Sequence, residues 1–314
     1  MDYSICFYRG RYVYDAKDYL NAIRNNSFNV IYDPRNREKM LNEIEGLIDY
    51  YKSVDLYAYA QLLYDEATES SLAKCFSILD IIVSWDYVPA KHLLAQMYFY
   101  GAGVEKDINK FYSLSLEAAN ANFILSKNAL ALAYFNGYGC KPNYEKGYKL
   151  LEECANADYG FGYFNLGVGY FNGLYGYPKD ENKAFAYFKQ ASEQYHKGAY
   201  YNLGLMYLNG KGCRKNTSKG LDALINAANL GQLKAQVKVA DMYYFGEIIP
   251  KNLDSAYAFY LMAAEAGDPY SMYSVAYMIL YKEKSRVDRS IGMEWLRKAA
   301  YLGYDKALEL INKL

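Results

Sequence analysis

The chain has 314 residues, 39 of them tyrosine, with 53% apolar and 22% charged residues. So large an apolar share can fill a sizeable core and argues against global disorder. Thirty-five basic residues balance 35 acidic ones, which argues against a generic electrostatic grip on nucleic acid or an anionic membrane.

The first 14 residues show no basic start followed by a long apolar core, so no secretory signal is expected, and no element is assigned to them. Residues 1–53 read as a diverged helical or capping region, with helices around 15–27 and 36–52. A weak repeat unit starts at Val54, with helices through 58–64 and 72–83. Its second helix carries Ser71 and Lys74 as S-x-x-K, the nucleophile spacing of serine β-lactamases. No SDN or KTG accompanies it, so chance is the better account. A cell-wall or β-lactam-acting enzyme is kept only as the alternative to a non-catalytic role.

From Ala90 onward one pattern recurs. Units start at Ala90, Ser126, Gly162, Ala199, Ala235, Ser271 and Ala307, spaced 36, 36, 37, 36, 36 and 36 residues. Small pairs such as Ala118-Ala119, Ala227-Ala228 and Ala299-Ala300 keep the same beat. Within a unit, positions one, five, six and nine are small, apolar, small and tyrosine, as in Ala199, Leu203, Gly204 and Tyr207. That spacing is one face of a helix. Position twelve is usually glycine, which ends a helix in the left-handed conformation. After a short turn, Asp107, Asn143, Asp180, Asn216, Asn252 and Asp288 fall where a second helix needs its N-cap. That helix closes at Asn122, Asp158, Gly231, Gly267 or Gly303. The unit is therefore helix, turn, helix. The expected fold is an all-α solenoid with repeats at 54–306 and a capping half-repeat at 307–314.

The GxG turns, such as Gly137-Gly139, lack the strand and third glycine of a phosphate loop and read as helix terminators. The five cysteines form no CxxC pair, and His92 and His196 are the only imidazoles, so no metal site is expected and no cofactor. No segment is long and apolar enough to span a bilayer. A cytoplasmic protein is the default expectation.

Segments 90–111 (AKHLLAQMYFYGAGVEKDINKF) and 199–220 (AYYNLGLMYLNGKGCRKNTSKG) resemble the Sel1-like repeat (SLR) family, relatives of the tetratricopeptide repeat. The resemblance covers 90–314 well and 54–89 weakly. The unit at Ser271 departs most, with Ile279 for tyrosine and Lys282 for glycine. The resemblance implies a right-handed superhelix and a protein-binding scaffold, often in signalling, protein quality control or host–microbe contact; adaptor, secreted effector and inhibitor of a toxin encoded nearby all stay open. It also implies that positions three and seven of each first helix line a concave groove. Those residues are His92 and Gln96, Asn128 and Leu132, Phe164 and Val168, Tyr201 and Leu205, Val237 and Asp241, and Tyr273 and Tyr277. The row is rich in aromatic and apolar residues, which fits a groove for a peptide or segment of another protein. Position ten (Phe99, Phe135, Phe171, Leu208, Tyr244, Leu280) reads instead as packing against the neighbouring unit. Asn136, Asn172 and Asn209 at position eleven read either as a polar ladder for peptide backbone or as helix terminators.

Overall fold

A computed structural model describes residues 6–9, 12–15, 53–174, 176–281 and 288–314, with side chains from residue 53 onward. The expected helices at 15–27 and 36–52 lie outside the described residues, apart from Asp15. Two strands occupy the segment that the sequence left unassigned. β1 (Cys6–Arg9) and β2 (Tyr12–Asp15) pair antiparallel, with Cys6 opposite Asp15 and Arg9 opposite Tyr12. The remaining described elements are helices joined by short turns.

The helices follow in pairs. They are α1 (53–66), α2 (Glu69–Ser84), α3 (Val88–Tyr100), α4 (Ile108–Asn120), α5 (Ile124–Asn136), α6 (Tyr144–Asn156), α7 (Gly160–Asn172) and α8 (Glu181–Glu193). Next come α9 (Lys197–Asn209), α10 (Thr217–Asn229), α11 (Leu233–Phe245), α12 (Leu253–Glu265), α13 (Pro269–Leu280), α14 (Arg289–Tyr301) and α15 (Asp305–Ile311). The chain forms two compact units, Met1–Leu150 and Leu151–Leu314, each with its own core. In the first, Cys75, Leu79, Leu93, Met97, Phe111 and Leu130 come together. In the second, separate clusters form along the chain, around Phe188 and Leu203, Leu224 and Val239, and Tyr260 and Leu296.

Local chemistry starts the second helices and stops most of the first ones. The side-chain oxygens of Asp107, Asn143, Asp180, Asn216, Asn252 and Asp288 all accept backbone N–H bonds from the first turn that follows. First helices α3, α5, α7, α9 and α11 end on left-handed glycines, Gly101, Gly137, Gly173, Gly210 and Gly246. Helix α13 lacks that glycine and ends instead at Tyr281 with φ −93°. The rest of its turn lies outside the described residues. Second helices are followed by a positive-φ residue at Asp86, Asn122, Asp158, Tyr195, Gly231, Gly267 and Gly303. Asp86 and Tyr195 fill the two slots that the repeat pattern leaves unnamed.

The small residues are there for close approach. The Cβ absent from Gly204 would lie 3.0 Å from the Gly220 carbonyl, and the one absent from Gly220 would lie 3.1 Å from the Gly204 carbonyl. Helices α9 and α10 therefore cross almost backbone on backbone, and a methyl group on either face would push them apart. The second glycine of the GxG turn has a similar task. A Cβ on Gly103 would sit 2.6 Å from the Leu72 carbonyl, and one on Gly139 would sit 2.6 Å from that of Ile108. Each turn thus rests on the first turn of the preceding second helix, so this motif is packing rather than a phosphate cradle.

Candidate protein-binding face

The position-nine tyrosines are held from outside by lysine. The Lys110, Lys146, Lys183 and Lys219 ammonium groups lie 4.7, 5.5, 5.0 and 5.9 Å from the ring centres of Tyr98, Tyr134, Tyr170 and Tyr207. Each lysine stands three residues after the N-cap of the following helix, so one short turn delivers the cation onto the ring. This pairing was legible as a D/N-x-x-K spacing but was not recognised from sequence. Where Ser255 replaces that lysine, Tyr243 stacks on Phe259 instead, at 6.2 Å and 10°.

Positions three and seven do not behave uniformly. His92, expected on the groove or surface, is 7% exposed and sealed between α3 and α5. Its Nδ1 lies 2.9 Å from Ser126 Oγ and its Nε2 lies 3.0 Å from Gln96 Nε2. Both ring nitrogens are thus used inside the molecule, and burial pulls the imidazole pKa down to about 4. His92 is unavailable to a partner because Ser126, Gln96 and Phe123 surround its ring. Gln96, Asn128 and Leu132 are half-buried.

In the second unit the row is continuous. Phe164, Val168, Tyr201, Leu205, Val237, Asp241, Tyr273 and Tyr277 are all half-buried. Phe164 stacks on His196 at 4.2 Å, over the space left by Gly198. His196 caps α9 by accepting from Ala199 N–H at 3.2 Å, and burial lowers its pKa to about 4. Tyr201 and Leu205 lean on the core around Leu208 and Leu224. Tyr273 meets Tyr277 at 6.1 Å, and Tyr277 stacks on the half-exposed Tyr281 at 4.4 Å. Asp241 Oδ1 accepts hydrogen bonds from the hydroxyls of Tyr260 (2.6 Å) and Tyr270 (2.9 Å).

Position ten is packing, but against the second helix of its own hairpin rather than chiefly against the next unit. Phe135 fills the space opposite Gly147 and Leu208 the space opposite Gly220, and both side chains are buried. Phe99 reaches both ways, to Phe111 at 4.8 Å and Tyr138 at 5.2 Å. The recurring asparagines terminate helices. The side-chain amides of Asn136, Asn172 and Asn209 donate to the carbonyls of Leu132, Val168 and Leu205 at 2.9, 3.1 and 2.8 Å.

The S-x-x-K serine is part of a cap. Ser71 Oγ accepts from Thr68 N–H and donates to the Thr68 carbonyl, both at 3.0 Å, while Ser71 N–H bonds Thr68 Oγ1 at 3.1 Å. The residue is 3% exposed, so its hydroxyl is committed to starting α2. Cys75 is buried, with its thiol pKa raised to about 11 by that burial, and Cys140 and Cys213 are half-buried at the edges of the core clusters. Trp85 is 43% exposed at the end of α2. Among the described residues, no helix is long and apolar enough to cross a membrane, and no three His, Cys, Asp or Glu side chains gather as metal ligands.

The Sel1 repeat model matches six consecutive stretches, residues 88–123, 124–159, 161–196, 198–232, 233–268 and 269–304. A protein of Neisseria meningitidis serogroup B is 33% identical over 140 residues, 45% of this chain. The matched stretch spans only 29% of that curated relative's length. Among solved structures, a Sel1 repeat protein from Oxalobacter formigenes superposes with a TM-score of 0.64 at 21% identity, covering 78% of this chain and 99% of that one. A protective antigen of uropathogenic Escherichia coli, displaying an SLR fold, gives 0.60 at 21% identity, over 80% of this chain and 57% of its own. Sel1 repeat proteins are in general protein-interaction folds. With its hairpins, caps and close glycine contacts in one register, the chain belongs to the Sel1 repeat family.

Proposed function

We propose that the chain is a non-catalytic interaction scaffold that takes a peptide or a segment of another protein against its row of first helices. The observation that carries this reading is the run from Phe164 to Tyr277, half-buried residues that are aromatic or aliphatic at seven of eight positions. Such side chains are partly prepaid in entropy by their lateral packing and keep apolar area to cover with a partner. The zero net charge fits recognition by shape and apolar burial rather than by long-range attraction.

The test is capture from the native host on the immobilised full chain, with the bound protein identified by mass spectrometry. Tyr201→Ala combined with Leu205→Asp should abolish that capture while helicity and melting remain cooperative. Because both side chains touch the core, Tyr277→Ala serves as a second, milder variant. Unchanged capture by both folded variants refutes the groove.

A further inference from the structure

Asp241 is the one acidic residue among the twelve candidate groove positions, and no lysine or arginine is among them. Its carboxylate is built in rather than incidental. Tyr260 reaches it from the second helix α12 with a ring that is 1% exposed, and Tyr270 reaches it from the start of α13. The two rings meet edge to face at 5.9 Å, and Tyr244 stands edge to face with Tyr260 at 6.1 Å. Three successive helices thus converge on one charge.

The bonding is lopsided. Both hydroxyls donate to the same oxygen, Oδ1. Oδ2 accepts from no described residue, and no lysine or arginine of the described chain pairs with it. Asp241 itself is half-buried rather than sealed. The protein has therefore fixed a carboxyl group among tyrosine hydroxyls and left one oxygen open.

We infer that Asp241 and its tyrosines form a receptor for a single cationic side chain, lysine or arginine, carried by the segment that occupies the groove. The inference rests on the groove reading above. The argument is charge complementarity. An apolar segment laid over this row would strip water from Oδ2 and leave a charge unpaired, which is heavily disfavoured. A segment placing an ammonium or guanidinium there recovers a charge-assisted bond to Oδ2. The two hydroxyls hold the carboxylate in place before the partner arrives, so little order is lost on binding.

The probes are N-acetyl-arginine amide, N-acetyl-lysine amide and the uncharged N-acetyl-citrulline amide, titrated into the full-length chain and followed by NMR at the Asp241 and Tyr270 signals. The expected result is saturable shifts with the arginine or lysine probe, weakened about tenfold or more in Asp241→Asn. The asparagine keeps an oxygen for both tyrosines, so the fold is retained. Absent shifts, or shifts equal to those of citrulline, overturn the inference. So does partner capture that survives Asp241→Asn undiminished but is lost in Tyr201→Ala/Leu205→Asp. That last outcome removes the cation receptor and leaves the groove standing. Loss of capture in neither variant removes the groove itself.

Discussion

His92 Nδ1 lies 2.9 Å from Ser126 Oγ, joining position three of one repeat to position one of the next. The contact makes a histidine part of the stacking between repeats, and burial favours the neutral ring. His196 needs a neutral ring, since its Nδ1 caps α9 as an acceptor. Both pKa values fall from 6.5 to about 4, for each chiefly through burial. The unfolded chain takes up these protons below pH 6.5 and the folded chain only near pH 4, so stability is lost as pH falls through that window. For His92 the loss is about 3 kcal/mol near pH 4, and less for the more exposed His196. Melting from pH 7 to pH 4 should drop further for the natural chain than for His92→Gln/His196→Asn. Comparing the two chains cancels the carboxylate contribution, which both share. Parallel curves would refute the assignment.

Gly212 has φ +63°, and a Cβ there would overlap the Glu181 carbonyl at the start of α8. Gly176 has φ +86° with nothing within 4 Å. Gly212→Ala should therefore cost about 2–4 kcal/mol, backbone strain plus clash, and Gly176→Ala only about 1 kcal/mol. Urea unfolding of the two variants separates the terms. Equal costs would mean that the turn does not bear on α8.

Tyr195 holds φ +55° in a slot filled three times downstream by glycine, and its side chain is 74% exposed. Little packing is at stake, so backbone strain decides. Tyr195→Gly should stabilise the chain by about 0.5–1 kcal/mol, the left-handed penalty less glycine's unfolded-state entropy. A lower melting temperature would show that the ring has a contact worth more than the strain.

Asn136, Asn172 and Asn209 each close their own helix, so Asn→Ala at any one should cost about 0.5–1 kcal/mol and leave partner capture intact. Capture lost in a folded triple variant would return these amides to the role of a peptide ladder.

The hairpin was legible because it is written in local chemistry. An N-cap needs a short polar acceptor, a left-handed residue needs glycine or a near substitute, and a helix face repeats every three or four residues. Each of these rules leaves the same mark every 36 residues or so. The β1–β2 pair was not legible, because two four-residue strands have no periodicity long enough to register. The lysine over tyrosine was visible as a spacing without a meaning, since only the turn's geometry brings Lys110 onto Tyr98.

The candidate face shows the limit most clearly. Helical periodicity names which residues share a side, and it put His92 and Tyr201 in equivalent positions. It cannot say how a neighbouring helix changes their surroundings. Beside Ser126 the histidine is enclosed, whereas Tyr201 keeps part of its ring uncovered. Asp241 makes the same point. By sequence alone it determined one charge in an apolar row. Only packing brings Tyr260 and Tyr270, 19 and 29 residues away, onto one of its oxygens and leaves the other open. Local chemistry fixes where helices begin, end and turn. Burial, exposure and polar pairing depend on neighbours distant in the chain, and those exist only once the repeats have packed.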